Sequence, residues 1–344
     1  MTPRLFGTLP GGEAVEAYAL ANAAGASLDV IAFGGIVTAL RVPDRAGRLA
    51  DVVLGFDQLA DYLTSHPYFG AIVGRVAGRM PQGRFTIAGQ PFQLTCNDGP
   101  NHLHGGHVGL DRRLWTARPV SRPDGADSLR LTYRSPDGEE GYPGDVDLGV
   151  TYTLTAAGEF IFETEATVDR VTPVCLTHHS YFNLAGEGAG TIEEHELEIY
   201  SDTYVPTDAN LTLSARRESV AGTAADFRRA RRLGDALPHL FKSHGDLYLL
   251  HSPGRVVPVA RVVEPRSGRV LTVSTDEPCL QFYSAVDFDG SMVGKSGRAY
   301  GRYAGLCLEC QGYSDGVKHP EFGGILVRPG QPQRRTTVYA FSNL

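Results

Sequence analysis

Residues 146–168 read Val146-Asp147-Leu148-Gly149-Val150-Thr151-Tyr152-Thr153-Leu154-Thr155-Ala156-Ala157-Gly158-Glu159-Phe160-Ile161-Phe162-Glu163-Thr164-Glu165-Ala166-Thr167-Val168. Val146, Leu148, Val150, Tyr152 and Leu154 take every second position, with Asp147, Thr151, Thr153 and Thr155 between them. Successive side chains of an extended chain point to opposite faces, so residues 146–155 form a strand with one apolar and one polar side. Ala156-Ala157-Gly158 turns the chain, and 160–168 alternates again. The stretch is therefore predicted to be a β-hairpin.

The same pattern spreads in both directions. Leu129, Leu131 and Tyr133 alternate with Arg130, Thr132 and Arg134, while Phe85 and Ile87 precede an Ala88-Gly89-Gln90 turn that Phe92 and Leu94 follow. Further on, 261–263 and 269–274 flank Glu264-Pro265-Arg266-Ser267-Gly268. The 41 Gly and 21 Pro suit many turns between short strands and do not suit a helical bundle. The predicted fold class is all-β, a large antiparallel β-sandwich. Helices are expected only over 56–64, with Asp57 as cap, and over 226–237. No linker, charge block or repeat interrupts the strand pattern, so 1–344 is expected to be one domain.

Composition narrows the function. Hydrophobic residues make up 42% and charged residues 21%, enough for a core, so wholesale disorder is excluded. A net charge of −7 argues against a nucleic-acid partner. The local cluster Arg228, Arg229, Arg231 and Arg232 reads as a solvated face balanced by Asp226 and Asp235. Residues 1–12 lack a basic-then-apolar leader pattern, and no apolar run approaches the roughly 18 residues a membrane span needs. Five cysteines, an odd number, do not make a disulfide framework, and the expected location is cytoplasmic.

Four stretches combine polar chemistry with strand-and-turn context. Asn101-His102-Leu103-His104-Gly105-Gly106-His107 invites a metal reading, but that needs further ligands, and histidines beside Gly105-Gly106 commonly serve as hydrogen-bonding residues. In Thr177-His178-His179-Ser180 an extended backbone sends the two histidines to opposite faces, leaving one to face a cleft, where an imidazole transfers protons near neutral pH. In Leu306-Cys307-Leu308-Glu309-Cys310-Gln311 the leucines share one face and Cys307, Glu309 and Gln311 the other. A carboxylate on so apolar a strand is costly to bury, and the plain alternative is an edge strand with Glu309 in water. The Cys307-x-x-Cys310 spacing puts its sulfurs on opposite faces, and no second such pair exists for a zinc ribbon. Gly74-Arg75-Val76-Ala77-Gly78-Arg79 lacks a phosphate-loop ending, though either arginine can clamp hydroxyls with its planar fork. Asp246, in His244-Gly245-Asp246, and Gln281, in Gln281-Phe282-Tyr283, are weaker candidates that alone read as turn and strand residues.

Together these stretches resemble the aldose 1-epimerase (galactose mutarotase) family. The likeness starts at Phe6-Gly7-Thr8-Leu9-Pro10 and takes in Val52-Val53-Leu54-Gly55-Phe56, His66-Pro67-Tyr68-Phe69-Gly70 with the following Ala71 to Arg75, and Leu103-His104-Gly105-Gly106. It continues through Ser135-Pro136-Asp137-Gly138-Glu139-Glu140-Gly141-Tyr142-Pro143-Gly144, the run from His179 to Gly186, and Cys307-Leu308-Glu309. So many ordered matches cover essentially the whole chain.

The resemblance implies a β-sandwich of the galactose mutarotase type and a cofactor-free, metal-free reaction on free aldoses, hexose or pentose. It implies Glu309 as general base, His179 as general acid, and His104 as a second histidine near the anomeric centre. Arg79, Asp246 and Gln281 would bind sugar hydroxyls, with a monomer or homodimer as the assembly. A nearby carboxylate is expected to help keep His179 charged. Two positions depart from the family pattern: Gly78 and His178 each stand where the family usually has Asn. Both are carried as substrate-contacting positions that alter sugar preference. The alternative from another class is a non-catalytic sugar-binding protein on the same fold.

Overall fold

The computed structural model describes residues 1–64, 67–240, 246–251 and 254–344; His66, His244 and Gly245 of the stretches above lie outside them. The hairpin of residues 146–168 forms as read. Val146–Leu154 pairs antiparallel with Glu159–Val168. Thr155 and Glu159 close the turn with a backbone hydrogen bond of 2.9 Å, and Gly158 supplies the left-handed φ of +82° that a side chain resists. Thr153 is the departure from simple alternation. It is buried on the nominally polar face, where its hydroxyl meets that of Ser128 at 2.7 Å.

This hairpin lies within a nine-stranded antiparallel sheet. Its order is Thr116–Val120, Asp127–Ser135, Val146–Leu154, Glu159–Val168, Gln333–Asn343, Arg269–Thr275, Val257–Val263, Glu196–Ile199, Arg231–Arg232. Gln333–Asn343 follows every other strand in sequence yet sits in the middle, paired to Glu159–Val168 on one side and Arg269–Thr275 on the other. A second sheet runs Glu218–Ser219, Thr203–Val205, Leu247–Leu249, Cys279–Tyr283, Cys307–Gln311, and a third is built from five strands between Arg4 and Asp51. The fold is an all-β, large antiparallel sandwich. Between the first two sheets Phe160 stacks on Tyr339 with ring centres 5.5 Å apart, and Tyr339 packs against Phe182. Burying one such phenyl ring is worth about 1.5–3 kcal/mol, so this layer holds the sheets together. One hydrophobic cluster takes in buried residues from Tyr18 to Tyr339, and the aromatic residues around Phe69 and Tyr300 pack in another.

The two expected helices shrink. The first spans only Leu59–Leu63, with Gln58 and not Asp57 at the capping position. Phe56 lies outside it, its N–H donating to the Tyr62 hydroxyl at 2.9 Å and its ring in a T-shaped contact with Tyr62. In the second, Arg231–Arg232 is an edge strand on Glu196–Ile199, and only Leu233–Ala236 is α-helical, running on into a 3₁₀ turn at Leu237–His239. The arginines are neutralised locally, Arg228 by Asp226 and Arg232 by Glu194 and Asp235. All five cysteines are free, and no helix among the described residues is long and apolar enough to cross a membrane.

Of the two arginines that precede the cavity wall, Arg75 is structural. Its buried guanidinium donates to the carbonyls of Pro143, Gly144 and Ser135 and to the Ser135 hydroxyl, at 2.6–3.2 Å. It ties residues 74–79 to the loop between two strands of the large sheet. Arg75→Ala strands several buried carbonyls, and a loss on the order of 3 kcal/mol is expected in urea unfolding. A midpoint close to that of the unmodified protein would show that the brace is dispensable.

Candidate active site

Glu309 sits on the Cys307–Gln311 strand, the last in its sheet, as the plain alternative required. That edge is covered, however. Thr177 donates its hydroxyl to the Cys310 carbonyl at 3.0 Å, and Phe182 bridges to Leu306. All of Cys307–Gln311 is buried, and Glu309 is only 3% exposed. Cross-strand register sets Gln281 directly opposite Glu309, and both face one cavity.

The covering segment supplies the imidazole. Backbone bonds of 3.0 Å in both directions tie His179 to residues 70 and 71, and its ring enters the cavity. His178, its neighbour, turns the other way, as extended geometry demands. It packs among Tyr152, Phe160, Phe162 and Tyr339, with Nε2 2.7 Å from the Ser180 hydroxyl. The expectation that His178 contacts substrate is therefore corrected: it belongs to the core between the sheets.

The three histidines near residue 104 separate. His102 is buried between the Thr95 carbonyl and the Tyr142 hydroxyl, at 2.7 and 2.6 Å, and His107 is exposed. His104 adopts φ +52°, a left-handed conformation that breaks strand alternation and swings its ring into the cavity. The Gly78 N–H donates to His104 Nδ1 at 3.1 Å, so neutral His104 carries its proton on Nε2.

His104, His179 and Glu309 thus converge, each offering an atom within 4.8 Å of the others. Glu309 Oε2 lies 3.6 Å from His179 Nε2 and has no hydrogen-bond partner among the described residues. The two imidazoles meet edge to face at 5.3 Å, and Tyr68 packs against both. Two imidazoles and a carboxylate are also a donor set that suits a divalent transition-metal ion. Burial drives the charges here. It pushes Glu309 up to about 8, against a small downward pull from Arg79, and pushes His179 down to about 4. Burial and the neighbouring His179 hold His104 well below the usual imidazole range. The expectation that a carboxylate keeps His179 charged is not met: desolvation dominates, and what opposes it is a backbone hydrogen bond.

Arg79, Gln281 and Gly78 line the same cavity. Arg79 is steered by Asp98, whose Oδ2 its Nε meets at 2.7 Å. The Gln281 amide nitrogen donates to the Phe282 carbonyl at 2.8 Å. Asp246 is buried, its carboxyl raised to about 6 by desolvation although it accepts the backbone N–H of Thr207. Thr207 lies in the cavity wall, but Asp246 does not line the cavity with the others. The sequence reading did not nominate Ser314, and it took in Tyr68 only as part of the family-like stretch from His66 to Gly70 without giving it a role. It did set Gln311 on the face of Glu309, a signal sufficient to find it.

A carboxylate and two imidazoles gathered in one cavity of a β-sandwich are groups able to exchange protons with a small bound molecule. Residues 16–340 match the model of the aldose 1-epimerase family. The galactose mutarotase of Rattus norvegicus is 44% identical over 345 residues, covering 99% of this chain and 98% of the relative. The aldose 1-epimerase of Escherichia coli K12 is 33% identical over 340 residues, covering 96% of each chain. Among solved structures, the aldose epimerase homologue from C. elegans superposes with a TM-score of 0.88 at 29% identity, covering 96% of this chain and 99% of that one. The chain belongs to the aldose 1-epimerase family.

Proposed function

We propose that the chain, an aldose 1-epimerase by family, interconverts the α and β anomers of free aldoses with Glu309 as base and His179 as acid. Glu309 takes the proton from the anomeric hydroxyl while His179 protonates the ring oxygen. The C1–O5 bond opens to the aldehyde, rotation about C1–C2 exchanges its faces, and the same two groups reverse roles for closure. Each positioned proton transfer contributes about 10²–10⁴-fold. His104, with its proton on Nε2, serves as a hydrogen-bond donor beside the reacting centre. Arg79 and Gln281 bind ring hydroxyls.

The observation that carries this reading is the buried, unpartnered Glu309 Oε2 facing His179 at 3.6 Å. Leaving such an oxygen unsatisfied is costly unless a substrate hydroxyl fills the gap. The test is optical rotation of freshly dissolved α-anomers of galactose, glucose, xylose and arabinose, with and without protein, with an EDTA control. Faster relaxation that survives EDTA supports the reading. Binding without acceleration replaces it with a sugar-binding protein, and loss of activity in EDTA with a metal-dependent one.

Two further results are expected. With Glu309 raised to about 8 and His179 lowered to about 4, the empty cavity holds one proton between those pH values, and it rests on Glu309; the base and acid roles therefore require that proton to pass to His179 across the 3.6 Å gap when the sugar binds. Catalysis needs one base and one acid, so kcat/KM is expected to be flat across that window. It falls below about 4, where no base is left, and above about 8, where no acid is left. A profile rising steadily from pH 4 to pH 9 would contradict the pairing. Arg79→Ala is expected to raise KM at least about tenfold with a smaller change in kcat, as for loss of uniform binding. An unchanged KM would remove Arg79 from the sugar site.

A further inference from the structure

One corner of the cavity is built around an incompletely used amide. Gln311 follows Glu309 by two residues on the same strand face, which sets them about 6–7 Å apart. Gln311 is 2% exposed and lines the cavity; its Nε2 donates to the Ser314 hydroxyl at 3.3 Å, and its Oε1 is buried with no partner among the described residues. Exchanging the amide oxygen and nitrogen leaves the count the same. One end then bonds Ser314 and the other still lacks a partner, whichever end it is. Ser314 is 1% exposed and also lines the cavity. Its position depends on Gly78: a Cβ there would come 2.0 Å from the Ser314 hydroxyl oxygen and 3.2 Å from Gln311 Nε2, and φ of +77° independently favours glycine.

We propose that Gln311 and Ser314, seated in the notch that Gly78 leaves, form a hydroxyl-reading subsite that sets sugar preference. The inference rests on the acid/base reading of the same cavity. With Glu309 at the anomeric hydroxyl, two strand residues further on is the opposite side of a pyranose ring. The ligand class is therefore an aldose whose ring carries a free hydroxyl remote from C1, aimed at this recess. A hydroxyl both donates and accepts, so it satisfies the open end of the amide in either orientation and shares the Ser314 hydroxyl. A C–H in its place leaves a buried amide end unpaired, and discrimination of that kind exceeds what apolar fit alone supplies.

The test measures kcat/KM for a parent aldose and its 2-, 3-, 4- and 6-deoxy analogues, using the unmodified protein, Gln311→Met and Ser314→Ala. The unmodified protein is expected to lose about tenfold or more on one analogue lacking a hydroxyl remote from C1. Gln311→Met is expected to show a similar loss on the parent, mainly in KM, and little further loss on that one analogue. Ser314→Ala should show the same pattern more weakly. An equal loss by Gln311→Met on every sugar, deoxy analogues included, would make its role structural and overturn the proposal, as would no loss at all. If the unmodified protein accelerates none of the sugars, the acid/base reading fails. Calorimetric affinities for the same panel then judge the subsite separately: the same single-analogue pattern upholds it, and its absence overturns it.

Discussion

Glu309→Gln is expected to reduce kcat by about 10³–10⁴-fold, close to spontaneous mutarotation, with KM changed far less. That corresponds to about 4–5.5 kcal/mol of lost transition-state stabilisation. The amide retains the shape of the side chain but cannot accept the anomeric proton. The same substitution should stabilise the fold. Burial raises the carboxyl from 4.5 to about 8, so the unfolded chain ionises Glu309 at lower pH than the folded one. The native state accordingly loses stability as pH climbs from about 4.5 towards 8, and the variant escapes that loss. Melting at pH 8 should find Glu309→Gln above the unmodified protein, the gap closing towards pH 4. Near-normal turnover in the variant would remove Glu309 as the base, and a lower melting point at pH 8 would contradict the burial cost assigned to it.

His179→Asn is the second large effect: a loss of about 10²–10⁴-fold in kcat with sugar affinity largely retained. Asn preserves a hydrogen-bonding end but has no proton to give to the ring oxygen. Because acid and base act on one event, the Glu309→Gln/His179→Asn double variant should be hardly slower than either single one. The polarimetric assay reads all three proteins. Fully additive losses would mean that the two groups act in separate steps, and unimpaired turnover in His179→Asn would move the acid elsewhere, with His104 the nearest imidazole.

Much of this was legible in residue order. Alternation from Val146 to Leu154 and the turn at Gly158 sufficed for the hairpin, because a period of two has only one structural meaning over nine residues. The opposite facing of His178 and His179, and the shared face of Glu309 and Gln311, also followed from that period. What failed depended on tertiary contacts. The Phe56 N–H bonded to the Tyr62 hydroxyl keeps residue 56 out of the first helix, pairing with Glu196–Ile199 draws Arg231–Arg232 into a strand, and the left-handed backbone at His104 sends its ring to the cavity while His102 stays in the core. The family resemblance suggested His178 as a sugar contact, but the aromatic layer around Phe160 and Tyr339 claims it. The charge state of His179 was likewise unreadable, since desolvation is set by neighbours distant in sequence.

The central place of Gln333–Asn343 in the large sheet has a consequence for how the protein is made. Until that segment emerges during synthesis, Glu159–Val168 and Arg269–Thr275 each present an open row of backbone donors and acceptors, a template for pairing with other chains. Tyr339, which packs on His178 and whose hydroxyl reaches the Leu308 carbonyl at 3.3 Å, arrives with the same segment. A nascent chain stalled before residue 333 therefore has every residue of the acid/base pair but neither the support behind it nor a closed sheet. Such chains should engage chaperones and aggregate when these are scarce. Yield of soluble protein should consequently be more sensitive to changes within 333–343 than to changes of similar size in the outer strand at 116–120.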